Sequence, residues 1–152
     1  MWVTVKTKSR LMIAIALLAA AGVIVSSVSL QHHYAASKTT YCDIGESFNC
    51  DIVNRSIYST VLGVPVAAIG IAGYLGLLLL ATLYRERSDA PTLLITSSVM
   101  GLLFALYLTY IEGFVLATWC ILCLSSLSLI FAITVLSSTL ALSAARNNRA
   151  IP

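Results

Sequence analysis

The sequence predicts an all-α membrane protein, a four-transmembrane-helix bundle with both termini cytoplasmic. Three observations lead there. Of the 152 residues, 59% are hydrophobic and only 10% are charged, with a mean hydropathy of +0.95; a soluble domain carries about 25% charged residues. Four long stretches contain no charged residue. Lysine and arginine fall almost entirely on one side if those stretches cross a membrane in turn. The net charge of +3 comes without a basic stripe or interleaved aromatics, so nucleic-acid binding has no support.

The charge-free stretches are 11–30, 56–84, 90–111 and 113–145. A spanning helix needs about 20 predominantly apolar residues, and each stretch supplies them. The spans must be helical, because a lipid-exposed strand leaves its amides unpaired. The expected spans are 11–30, 62–84, 91–111 and 118–142. They divide the chain into a tail (1–10), a membrane domain (11–145) with one sizeable polar loop at 31–61, and a second tail (146–152).

Orientation follows from the basic residues. Lys6, Lys8, Arg10, Arg85, Arg87, Arg146 and Arg149 share one side, and only Lys38 and Arg55 lie on the other. The positive-inside rule makes the first side cytoplasmic. All four cysteines then face the extracytoplasmic side of the inner (plasma) membrane. The first span also has the look of a secretory signal, with Val25-Ser26-Ser27 as a cleavage site, but 20 apolar residues exceed a signal core.

The connections are short apart from 31–61. The inner loop 85–91 reads as a plain turn, with Pro91 suited to an early helix position. The last outer loop, 112–117, is equally tight, and Glu112 reads as a solvated turn residue rather than a proton donor. Spans two to four must therefore be neighbours. Gly70, Gly73 and Gly76 in span two lack the preceding strand of a nucleotide loop and read as helix-packing positions. Tyr107 and Tyr110 read as interface anchors, as do His32 and His33 at the end of span one.

The chemistry lies in the cysteines. Thr118 is a plausible N-cap, placing Cys120 in the first turn of the last helix. Unpaired amides at a helix start favour a thiolate, so a cysteine there is reactive. Cys120 and Cys123 enclose too small a loop to serve as a structural staple. Cys123 would lie a turn deeper, within reach of an apolar electron acceptor. Cys42 and Cys50 stand in the outer loop, where a structural disulfide and a redox shuttle are both open readings. A four-cysteine zinc cage is a weaker one, since the usual motif has two short-spaced pairs.

Taken together, Cys42-Asp43, Cys50, Ser56, Gly63-Val64-Pro65 and Cys120-x-x-Cys123 resemble the vitamin K epoxide reductase family, in its stand-alone prokaryotic branch. The likeness extends from span one to the end of span four. It implies a four-helix bundle around a quinone, with Cys120 and Cys123 as the active-site pair and Cys123 nearest the quinone. Cys42 and Cys50 would be the shuttle pair. Ser56 would belong to a segment capping the quinone site. Bacterial members oxidise a thioredoxin-like extracytoplasmic partner and reduce ubiquinone or menaquinone; animal members reduce vitamin K and its epoxide. Ser59 stands where animal members have an asparagine near the quinone head, and Leu127 where they have a tyrosine. Both departures weigh against epoxide reduction. The chain stops at Pro152, so the partner is expected to be a separate protein. The rival expectation is a membrane scaffold with structural disulfides. The disulfide-bond-forming protein B type, also with four spans, has its cysteine pairs in the opposite order.

Overall fold

The computed structural model describes residues 2–34 and 47–149; Cys42, Lys38 and the rest of 35–46 lie outside the described residues. Three long apolar helices and one shorter one dominate. These are α1 (Trp2–Tyr34), α3 (Val66–Thr82), α4 (Ala90–Ile111) and α5 (Ile121–Arg149). A five-residue helix, α2 (Cys50–Asn54), stands between α1 and α3.

The four longer helices close a ring. α1 packs on α3 and α5, and α4 packs on α3 and α5. The seam follows helical spacing. α1 buries Met12, Ile15 and Ala19; α3 buries Tyr74, Leu77 and Ala81; α5 buries Ile130, Ile133 and Leu140. Steps of three and four residues keep each set on one face. The opposite faces are just as apolar: Leu17, Ile24, Met100, Leu103, Phe131 and Leu142 are all more than half exposed. Helices apolar on every side match a lipid surround rather than water.

Glycines allow close approach at two contacts. A Cβ at Gly22 of α1 would collide with the Tyr74 ring, and one at Gly70 of α3 would meet Ser26 Oγ at 2.9 Å. Gly70 thus packs as expected from sequence. Gly73 and Gly76 do not: a Cβ at either meets nothing within 4 Å.

The element boundaries correct the expected spans. α1 runs past both ends of 11–30, whereas α5 starts later than 118, at Ile121, and runs past 142 into the basic tail. The helix at the expected second span starts at Val66 instead of 62, and its 17 residues make it the short helix. The cause is a hairpin, in which β1 (Thr60–Val61) pairs antiparallel with β2 (Val64–Pro65). Leu62 (φ 52°) and Gly63 (φ 82°) form its two-residue turn. Positive φ at both central positions is the turn geometry that matches strand twist, and Pro65 then occupies the cap position of α3. Glu112–Leu116 is a π-helical turn rather than a simple loop, closed by Ala117 in the left-handed conformation.

This topology sorts charge from sulfur. The α1 start, the 83–89 connection and the α5 end share one end of the bundle, with Lys6, Lys8, Arg10, Arg85, Arg87 and Arg146. The α1 end, α2 and the 112–120 segment share the other, with Cys50 and Cys120.

Candidate active site

Cys120 is held by backbone pairing. Phe48 and Trp119 form a parallel bridge, in which Trp119 N–H donates to Ser47 O at 3.0 Å and Asn49 N–H donates to Trp119 O at 3.1 Å. Two chain segments distant in sequence therefore run side by side into their cysteines. Cys50 follows Asn49, whose side chain caps α2 by accepting from Ile52 N–H at 3.1 Å. Cys50, Val53 and Cys120 form one buried cluster, with Leu116, Leu122 and Cys123 packed against it.

Cys120 precedes the fourth long helix rather than lying in its first turn. Its carbonyl accepts from Leu124 N–H at 3.0 Å, the first bond of α5, so Cys120 occupies the cap position itself. Thr118 is not the cap; its Oγ1 donates to Leu116 O at 3.2 Å. Cys120 and Cys123 are free thiols, while Cys50 is in a disulfide whose partner is neither of them. The hydrogen bond from the Cys123 thiol holds Cys120 below the ordinary thiol value, against burial and the nearby Glu112 carboxylate, which push it up. Of the pair, the outer cysteine is therefore the more readily ionised thiol.

Glu112 is not the solvated turn residue expected from sequence. It is 2% exposed, and its Oε2 accepts from Cys120 N–H at 3.2 Å. Its carboxyl also stands beside the Cys123 side chain, and both border one cavity. Its main-chain oxygen closes the π turn by accepting from Ala117 N–H, and accepts from Thr118 N–H as well. The sequence carried a signal: Glu112 is the sole charged residue between Asp89 and Arg146. An ionisable group in such a setting is costly unless it has a task.

Asn54 is the second residue that sequence reasoning passed over. Its Oδ1 accepts from Ser29 Oγ at 2.7 Å, and its Nδ2 donates to Cys50 O at 3.0 Å and reaches Cys120 Sγ at 3.9 Å. It ties α1, α2 and the reactive sulfur together. The histidines take part as well, instead of resting at the interface. His32, 2% exposed, meets Asp51 at 3.2 Å, and His33 Nδ1 donates to Asn54 O.

Inside this polar cap the four helices enclose a cavity of about 840 Å³, open at one side and mostly apolar in its lining. Cys123, Glu112, His33 and Asn54 reach it at the cysteine end, while Gly73 and Gly76 make room along α3. Ser56 and Ser59 line it too, and both hydroxyls donate to the backbone: Ser56 Oγ to Val53 O at 2.8 Å, Ser59 Oγ to Ser56 O at 2.7 Å, with Ser59 Oγ also 3.5 Å from His33 Nδ1. They shape the rim of the cavity, with Ser56 at the cap position of the 3-10 turn Ile57–Ser59. Of the expected site residues, the structure brings together Cys50, Cys120, Cys123, Ser56 and Ser59; Cys42 lies outside the described residues.

A family model described as the Vitamin K epoxide reductase family matches residues 13–138, from the first helix to the last. The chain belongs to the vitamin K epoxide reductase family. Vitamin K epoxide reductase family members are membrane oxidoreductases that couple thiol–disulfide chemistry to a quinone. The cavity fits that class of ligand. A small-molecule pocket is typically 300–1,000 Å³, apolar, with a few converging polar groups, and here those groups gather beside a cysteine.

Proposed function

We propose that this chain is a quinone-dependent disulfide-generating oxidoreductase. It takes electrons from the thiols of a thioredoxin-like extracytoplasmic protein and passes them to membrane ubiquinone or menaquinone. The observation that carries the reading is the arrangement of three sulfurs. Cys50 and Cys120 share one buried cluster, and Cys123, next along, opens on the apolar cavity.

The order of exchange follows from that layout. The partner's dithiol reduces the loop disulfide of Cys42 and Cys50. The Cys50 thiolate attacks Cys120 Sγ, a step supported by their sharing one buried cluster among the described residues. Cys123 is displaced as a thiolate facing the cavity, and it and then Cys120 take up the protons that Cys50 and Cys42 give up on attacking. Cys42 regenerates the loop disulfide by attacking Cys50, freeing Cys120 to re-form its bond with Cys123 as two electrons leave to the acceptor. A quinone supplies the two-electron sink. Cys123, Asn54, His33 and the rims at Ser56 and Ser59 would hold its head, and the apolar walls its ring and tail. All four cysteines would face the extracytoplasmic side, with both termini cytoplasmic, as the separation of basic residues from sulfurs supports. The short α3 would then be the second of four spans.

The test is direct. The purified protein with a reduced thioredoxin-like protein should reduce a soluble quinone, and Cys120→Ala or Cys123→Ala should each abolish turnover. Unchanged turnover in both variants would overturn the reading; turnover only with vitamin K epoxide would reassign the acceptor.

A further inference from the structure

The thiol chemistry moves electrons and leaves protons to be placed. Oxidising one dithiol to a disulfide releases two electrons and two protons, and forming one quinol consumes two of each. The cavity is walled mainly by apolar side chains, so water is a poor carrier there. We infer that Glu112 is the proton carrier between the Cys120–Cys123 pair and the quinone oxygens. The inference rests on the proposed quinone reaction.

The geometry leads to Glu112 before any other group. Its carboxyl accepts from the Cys120 N–H, stands beside Cys123 and borders the same cavity as Cys123. It therefore touches both the proton source and the space for the acceptor. The other titratable side chains facing that cavity are His33 from α1, Tyr58 from the 3-10 turn, Tyr74 from α3 and Cys123 from α5. His33 Nδ1 is engaged with Asn54 O, and the Tyr74 hydroxyl with Ser126. No lysine, arginine or aspartate among the described residues lines it.

The step balances through one carboxylate used twice. Glu112 takes the Cys123 proton and delivers it to one quinone oxygen. The carboxylate, vacated, takes the Cys120 proton as the Cys120–Cys123 bond forms, and delivers it to the second oxygen. Two S–H bonds break, one S–S bond and two O–H bonds form, and Glu112 ends as it began. The Cys120 N–H bond holds the carboxyl in place, so a residue that keeps the acceptor but cannot carry a proton separates the two roles.

Glu112→Gln is that residue, since its amide oxygen still accepts from Cys120 N–H. Expected is a fall in quinone reduction of about 100-fold or more, the usual range for a lost general acid–base group. The wild-type pH profile should carry a limb that Glu112→Gln lacks and Glu112→Asp retains at a displaced pH. In quinone-free protein, reducing the Cys120–Cys123 disulfide should shift a carboxyl infrared band that Glu112→Gln does not show. In a Cys123→Ala background, the Cys50–Cys120 mixed disulfide should form equally with glutamate or glutamine at 112. Turnover of Glu112→Gln within twofold of wild type, an unmoved pH profile, a carboxyl spectrum indifferent to cysteine redox state, or loss of the mixed disulfide would each overturn the inference. A wild-type protein that reduces no quinone would instead overturn the reaction it rests on.

Discussion

Asn54 Nδ2 lies 3.9 Å from Cys120 Sγ while donating to the Cys50 carbonyl at 3.0 Å. One amide thus spans the two cysteines between which the proposed exchange runs, and Ser29 fixes its orientation from α1. Asn54→Ala removes all three bonds. A hydrogen bond of this kind contributes about 0.5–1.5 kcal/mol, more when its partner is charged. The Cys50–Cys120 exchange should therefore slow by about tenfold, measured as the rate of mixed-disulfide formation in Cys123→Ala protein. A rate unchanged by Asn54→Ala would assign the amide to helix packing alone.

Cys120 owes its lowered thiol value first to the Cys123 thiol. Removing that thiol in Cys123→Ala takes away the largest influence favouring the thiolate and leaves only the backbone hydrogen bonds of residues 122 and 123 against burial and the Glu112 carboxylate, which oppose ionisation. The pH at which Cys120 becomes a thiolate should rise, so less thiolate is present at neutral pH. Ultraviolet thiolate absorbance across a pH titration reads this directly. A midpoint that stays put or moves down would show that the hydrogen bond does not set the value.

The bundle was legible because its causes are local. Runs of apolar residues without charge must be helices in lipid, and the lysine and arginine count fixes their alternation. The closeness of Cys120 and Cys123 was legible from their spacing. What remained hidden depends on long-range contacts. The Phe48–Trp119 bridge joins segments some 70 residues apart and has no sequence signature. Asn54 gains its role only when α2 folds onto α1 and Cys120. Glu112 looked like a turn residue because turns are usually wet; here the π turn and left-handed Ala117 fold its carboxyl inward. Leu62 and Gly63 read as helix because they are apolar, whereas their positive φ values make a hairpin tip.

Helix packing gives a stability prediction. A Cβ at Gly22 would overlap the Tyr74 ring, which is itself tethered by its hydroxyl to Ser126 O at 2.8 Å. The ring cannot swing aside without losing that bond. Gly22→Ala should destabilise the bundle by about 1–3 kcal/mol, the typical cost of overpacking. Thermal unfolding in detergent should show a lower midpoint than wild type. An unchanged midpoint would mean α1 and α3 shift apart at little cost.

Gly73 offers the opposite case, because the space beside it is cavity. A Cβ there meets nothing within 4 Å, and alanine in a helix interior is favoured over glycine by about 1 kcal/mol. Gly73→Ala should therefore fold at least as well as wild type. Gly73→Leu projects a full side chain into the cavity lined by Cys123 and Glu112. It should cut quinone reduction more than about tenfold, since a ligand that loses its apolar seat loses the roughly 0.8 kcal/mol contributed by each buried methylene. The sulfur cluster lies apart from α3, so the Cys50–Cys120 exchange should proceed at the wild-type rate in the same variant. Measuring both activities on one preparation separates acceptor binding from disulfide transfer. Full quinone turnover in Gly73→Leu would place the acceptor outside the cavity.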